Sequence, residues 1–310
     1  MRNGSPSPVN PPLLTLLGPT ASGKTSLAVG LAQHLNAEII SCDSRQVYKY
    51  MDIGTGKDLD QYGATPYHLI NIREPGTSYD VAEYCVDFLK VTEDIASRGK
   101  QAIICGGSGL YLQAVLQGFQ QINIPQNPAL RSRLEQYSDT HLRERFQQIQ
   151  ARYQYRHDIQ TRKRLIRAIE IGHWLEQHPH AQYKNRPRPS CIFGLNPEPA
   201  LRRAKISERL NARLESGLLS EVEQLLERGV SQTQLIRYGL EYKFACYYLA
   251  GTIPFPVFYQ KLETAIHRYA KRQMTYFRKM EKDGLKIHWL EAPSKAEQIQ
   301  EILNKQNEFL

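Results

Sequence analysis

Eight residues, Gly18-Pro19-Thr20-Ala21-Ser22-Gly23-Lys24-Thr25, constrain this chain more than any other stretch. They follow the apolar run Leu13 to Leu17 and open into Ser26-Leu27-Ala28-Val29-Gly30-Leu31-Ala32, so strand, loop and helix occur in that order. The spacing G-x-x-x-x-G-K-T turns backbone N–H groups toward phosphate oxygens at a helix N-terminus, brings the Lys24 ammonium to the same oxygens and aims the Thr25 hydroxyl at a magnesium ion. A chance Gly-rich turn would have no reason to be framed by a strand and a helix. The expectation is a diphosphate or triphosphate site built from Gly18, Thr20, Ala21, Ser22, Gly23, Lys24 and Thr25, with Mg2+ on Thr25.

From Leu13 to about Gly118, short apolar runs alternate with helical segments. Glu38 to Ser41, His68 to Ile72 and Gln101 to Cys105 are the strands expected after the first, and such alternation means a parallel sheet. After Ile124-Pro125-Gln126-Asn127-Pro128 the composition shifts. Leu130, Leu134, Leu142, Phe146 and Ile149 recur at helical spacing, a second helix spans Arg162 to Glu176, and a Pro-punctuated stretch from Pro179 to Pro189 ends the segment. Cys191 to Leu195 reads as a return to the sheet. Helices then follow over Ala200 to Gly217, Leu218 to Arg228 and Phe255 to Lys282, before a short strand from Lys286 to Leu290. The fold class is therefore α/β: a P-loop NTPase-like parallel sheet flanked by helices, with a helical insertion domain. The expected organisation is a disordered tail (1–12), a core (13–124 and 190–292), an insertion (125–189) and a C-terminal tail (293–310).

A length of 310 residues allows such a core with a smaller addition. Lysine and arginine number 40 against 31 aspartates and glutamates, and the resulting charge of +9 suits a polyanionic partner. No run approaches the ~20 apolar residues needed to span a bilayer, and the first residues lack an apolar signal segment. The cysteines, Cys42, Cys85, Cys105, Cys191 and Cys246, are odd in number and scattered, without C-x-x-C or zinc-type His spacing. A reducing cytoplasm, no Cys/His metal site and a monomer are the expectations.

A P-loop hydrolase would end a strand in an acid that organises water and magnesium. Here Gln101 to Cys105 runs instead into Gly106-Gly107-Ser108-Gly109-Leu110-Tyr111. The strand Glu38 to Cys42 delivers Asp43 to the C-terminal edge of the sheet, where α/β folds place ligands. Asp43 has two readings from the residues alone: a general base beside the phosphates, or the N-cap of a helix opening at Gln46-Val47-Tyr48.

Three ordered segments, GPTASGKT, the run from Asp43 to Lys57 (DSRQVYKYMDIGTGK) and GGSGLY from Gly106 to Tyr111, resemble the tRNA dimethylallyltransferases. Further matches are Arg164 to Ile171, Glu215-Ser216-Gly217-Leu218 followed by Glu221, and Ala270 to Arg278, so the resemblance covers roughly Leu14 to Leu290. It implies transfer of a dimethylallyl group from dimethylallyl diphosphate to N6 of the tRNA adenosine adjacent to the anticodon, with release of diphosphate. By the same resemblance Asp43 deprotonates N6, Arg237 stabilises the leaving diphosphate, and Ser108 gives a supporting hydrogen bond. The run after Arg237 is Tyr238-Gly239-Leu240-Glu241-Tyr242-Lys243, one or two residues out of the family's usual register.

The resemblance also implies that the anticodon stem-loop contacts Ser44, Gln46, Arg162, Arg164, Arg167, Lys271, Arg272, Gln273 and Arg278, since a target base must leave its stack and the RNA backbone needs cations. Spacing alone reads the basic stripe Arg268, Lys271 or Arg272, Thr275, Arg278 and Lys282 as a solvated helix face. The insertion carries a second basic cluster, Arg152, Arg156 and Arg162 to Arg164. An adenylate dimethylallyltransferase, a P-loop kinase and a non-enzymatic nucleic-acid module are the competing readings.

Overall fold

The computed structural model describes residues 13–118, 124–153, 159–178 and 187–308. The N-terminal segment 1–12, Arg156 and most of the Pro-punctuated stretch lie outside the described residues. In chain order, β1 (Leu13–Leu17), α1 (Lys24–Leu35), β2 (Ala37–Cys42), β3 (Tyr67–His68), α2 (Val81–Ser97), β4 (Gln101–Gly106) and α3 (Gly109–Gln117) lead to the insertion, which holds α4 (Pro128–Leu134), α5 (Asp139–Tyr153) and α6 (Arg162–Gln177). After it come β5 (Ser190–Gly194), α7 (Pro199–Glu215), α8 (Leu218–Glu227), α9 (Gln232–Tyr238), α10 (Leu240–Leu249), α11 (Phe255–Lys282), β6 (Ile287–Trp289) and α12 (Lys295–Asn307).

Among the described residues the strands form one six-stranded sheet, ordered β3-β2-β4-β1-β5-β6, with every pairing parallel. The strands are apolar on both faces because helices cover both; every residue of β2 is buried. The connection from β1 to β2 steps across β4, whereas that from β4 to β5 steps back across β1. This reversal opens a crevice beyond the C-terminal ends of β1 and β4, the place where open α/β sheets bind ligands. The loop after β1 and the glycines after β4 both start there.

Two expectations change. The third strand stops at His68, because Leu69 and Asn71 take positive φ of 61° and 59°. The rest of that apolar run folds back instead: Ile72 and Arg73 donate N–H groups to the Val47 carbonyl at 2.8 and 2.9 Å. Leu69 and Ile70 are buried all the same, so apolarity is satisfied without strand geometry. The expected tail 293–310 contains α12, capped by Ser294 and Glu297 in a reciprocal box. Its Ile299 and Ile302 pack with Leu27, Leu31 and Phe193 in the core on one side of the sheet.

The chain divides into two compact units, Gly118–Arg186 and the remainder. The smaller unit has its own core, in which Leu130, Leu134, Leu142, Phe146, Ile149, Leu165 and Ile169 are buried. Glu170, 2% exposed, closes it by accepting the Asn127 N–H at 2.9 Å and pairing with Arg131.

Truncation of Ile302 to Ala is expected to lower stability by about 2–5 kcal/mol through lost burial and the cavity left behind. A lower midpoint in denaturant or thermal unfolding checks this; a solvated tail would give no change.

Candidate active site

The phosphate loop takes its shape from backbone strain at its tip. Ala21 and Gly23 have φ of 58° and 85°, which turns the chain sharply into α1. Thr20, Lys24 and Thr25 then line a cavity of about 430 Å³ beyond the sheet edge. Gly18, Ala21, Ser22 and Gly23 build the turn beneath it. The Lys24 Nζ donates to the Pro19 carbonyl at 2.7 Å. Desolvation holds its pKa down to about 8, only partly offset by Cys105, Asp43 and Asp58.

Asp43 leaves β2 into the same cavity with Ser44 and Gln46. Its Oδ1 accepts the Arg45 N–H at 2.8 Å, and residues 44–47 form turns. No helix begins here, so the helix-cap alternative lapses; the carboxylate makes a local Asx turn. Ser108 bridges the two loops, its hydroxyl accepting the Ser44 N–H at 3.2 Å and its own N–H reaching the Cys42 carbonyl at 3.3 Å. Gln46 is held at both ends of its amide, by the Ser41 hydroxyl at 2.8 Å and the Gly56 carbonyl at 3.0 Å.

Arg237, the last-turn arginine of α9, also lines the cavity despite its shifted register. Arg209, paired with Asp58, and Arg213, paired with Glu241 at 3.0 Å, stand there too, and the sequence reading singled out neither. Their signal was available as an i, i+4 pair on the helix ahead of the Glu215-Ser216-Gly217-Leu218 segment. Tyr62, Ile236, Leu240, Ile266 and Tyr269 give the cavity apolar walls. Cys105 lies among them, its thiol pushed up to about 11 by burial. The site thus offers several cations beside hydrocarbon, with Asp43 as the lining carboxylate that has no ion pair among the described residues and Glu241 paired with Arg213.

The oxygen donors near the phosphate loop are the Thr25 hydroxyl and the Asp43 carboxylate, and among the described residues no group of three or more His, Cys, Asp or Glu could cage a metal. This donor set fits a magnesium ion that shares its ligands with phosphate oxygens and water rather than an all-protein site.

Residues 46–280 match the family model described as IPP transferase. The chain belongs to that family. It is 47% identical over 305 residues to tRNA dimethylallyltransferase 1 of Parabacteroides distasonis, covering 95% of this chain and 98% of the relative. Against tRNA dimethylallyltransferase 2 of Trichlorobacter lovleyi it is 47% identical over 282 residues, 90% and 92% of the two chains. The crystal structure of the full-length tRNA isopentenylpyrophosphate transferase from Bacillus halodurans superposes with a TM-score of 0.71 at 29% identity, over 96% of this chain and 98% of that one.

Within this IPP transferase the residues expected to touch tRNA fall into three groups. Ser44, Gln46 and Arg272 line the reaction cavity. Lys271 and Arg278 lie in a separate basic groove with Arg202, Arg203 and Arg268, so α11 presents cations on two faces. The third group is spent on the fold. Gln273 is buried in the cavity wall, its amide accepting the Thr20 N–H at 2.9 Å and donating to the Gly107 carbonyl at 3.0 Å, so it ties two loops together. Arg162 is committed to Asp139 and to the Glu135 and Tyr137 carbonyls, and Arg167 to the carbonyls of Ile124 and Pro125. Both hold the insertion together while staying partly exposed. Arg164 is exposed on α6.

Since desolvation sets the Lys24 pKa near 8, its ammonium is present below that pH and lost above it. Affinity for inorganic diphosphate is expected to fall as pH rises through about 8, as read by calorimetry. A flat profile between pH 7 and 9 would show that this amine does not hold the anion.

Proposed function

We propose that this enzyme transfers the dimethylallyl group of dimethylallyl diphosphate to N6 of the tRNA adenosine adjacent to the anticodon. The observation that carries the reading is Asp43 opening into the same cavity as Lys24 and Thr25, between apolar walls. A ligand with a diphosphate head and a short hydrocarbon tail matches that pairing of cations with hydrocarbon surface. The glycines after β4 stand where a hydrolase would carry a water-activating acid, which suits a leaving diphosphate rather than a triphosphate under attack.

In this reaction the N6 lone pair forms a bond to the allylic C1, and the C1–O bond breaks with its electron pair leaving on diphosphate. The N6 proton passes to the Asp43 carboxylate, a general-base role. Lys24, the loop amides, Arg237 and Arg209 neutralise the charge that grows on the leaving group, an electrostatic contribution of the kind that usually dominates such catalysis. Magnesium held by Thr25 and phosphate oxygens would supply further positive charge there. Ser108 fixes the Ser44 backbone beside Asp43.

The acceptor base must be turned out of its stack to reach the cavity. Ser44 and Gln46 flank Asp43 and are placed to meet it, Lys271 and Arg278 offer cations to the RNA backbone, and the exposed Arg164 of the insertion is assigned to the same task. A reducing cytoplasm belongs to the same reading, supported by five buried cysteines that all remain thiols, and a monomer is proposed with it. No helix among the described residues is long and apolar enough to cross a membrane.

Mass spectrometry of nucleosides from unmodified tRNA, incubated with enzyme, magnesium and dimethylallyl diphosphate, tests the proposal. Asp43→Asn keeps an oxygen for the Arg45 N–H and is expected to lower kcat by roughly 10²–10⁴ with little change in donor KM. Prenylated AMP without a tRNA product would move the acceptor to a free nucleotide. A product formed equally by the Asn variant would remove Asp43 from the chemistry.

A further inference from the structure

Arg213 is a cavity cation to which no role has been given. It follows Arg209 by one turn on α7, and both side chains face the cavity that holds Lys24 and Thr25. Its side chain is 12% exposed. Nη1 donates to Glu241 Oε1 at 3.0 Å, whereas Nε is buried with no hydrogen-bond partner. Buried donors are nearly always satisfied, and one left open beside a ligand cavity marks a place for an acceptor.

The packing around Arg213 points the same way. Gly56 has φ of 61°, and a Cβ there would overlap the Arg213 guanidinium and stand 2.7 Å from Arg209 Nη2. The loop wall is therefore bare backbone where the two guanidinium groups lie against it. Setting two arginines side by side is electrostatically unfavourable: desolvation first, and then the Arg213 charge, hold Arg209 below the ordinary arginine range. Asp58 balances Arg209 and Glu241 balances Arg213, one carboxylate to each. The Lys24 ammonium adds a further cation with no ion pair of its own among the described contacts. A compact dianion or trianion relieves this crowding, and a guanidinium is the group suited to grip its oxygens.

We propose that Arg213 is a diphosphate-binding residue, presenting its guanidinium to oxygens of the leaving diphosphate alongside Arg209, with Glu241 aiming it. The inference rests on the reading of this cavity as the donor site. It adds a cation that tightens on the diphosphate and leaves RNA affinity untouched.

Calorimetric titration of inorganic diphosphate with magnesium into wild type, R213M, R213K and E241Q tests it, with thermal melts confirming that each variant folds. R213M is expected to weaken diphosphate binding roughly 10- to 100-fold, the loss of a charge-assisted hydrogen-bonded pair. R213K restores only part, because a point charge cannot reproduce the fork, and E241Q, which keeps an acceptor for Nη1, weakens binding by a smaller factor than R213M. Donor KM rises with R213M by a similar factor, while the Kd for an anticodon stem-loop RNA, read by fluorescence anisotropy, does not move. Equal losses in R213M and E241Q would make Arg213 a structural partner of Glu241 and overturn the proposal. So would weakened RNA binding with diphosphate binding intact. If wild type bound no diphosphate, the donor-site reading would fall with it; if wild type and R213M bound it equally, only the role of Arg213 would fall.

Discussion

Two loops leave neighbouring strands at the switch point of the sheet, and one side-chain amide fixes the gap between them. Gln273 accepts from the Thr20 N–H of the phosphate loop and donates to the Gly107 carbonyl of the loop after β4. The bridge works only if its carrier is rigid and can come close. The 28-residue α11 is anchored by Leu262, Ile266, Ala270, Met274 and Phe277, all buried. A Cβ at Gly107 would stand 2.4 Å from Gln273 Nε2, and one at Gly109 would stand 2.3 Å from the Tyr276 ring. The glycines of that second loop are thus explained by the helix that seats on them, and the mouth of the cavity inherits its width from α11.

The opposite wall is set by buried charge. Glu221 accepts three successive backbone N–H groups, from Asp52, Ile53 and Gly54 at 2.6–2.9 Å, and the Tyr242 hydroxyl at 2.8 Å. Lys57, with no exposed side-chain surface, reaches inward to the Tyr48 carbonyl at 2.6 Å and to Asp52 and Asn71. Desolvation lowers its pKa, and Asp52 acts against that shift. Such buried ions are favourable only when every polar partner is in place. Here the satisfied network makes the Gly54–Gly56 wall a fixed surface rather than a loose loop.

What the sequence disclosed follows from the kind of signal each element leaves. The phosphate loop, the buried strands and the Phe255–Lys282 helix announce themselves through spacing and apolar runs, and Asp43 through its place just after β2. The turn at Leu69 and Asn71 does not, because an apolar run that bends still reads as a strand. Helix α12 hides because its buried isoleucines, Ile299 and Ile302, sit among polar residues. Basic composition does not reveal which arginines also tie the fold together, as Arg162 and Arg167 do through backbone carbonyls. Nor does a neutral Gln273 on a charged helix advertise that its amide spans two loops 166 and 253 residues away.

The apolar wall around Cys105 has a chemical consequence beyond binding. An allylic diphosphate is an electrophile, and any thiolate or phenolate beside it would compete with the acceptor amine and end in an alkylated, dead enzyme. Burial holds the Cys105 thiol at about 11 although Lys24 lies close, and it pushes the Tyr62 and Tyr269 phenols well above their ordinary values. The nucleophile is the thiolate and not the thiol. Keeping these protons in place removes the thiolate and phenolates as competitors of the acceptor amine.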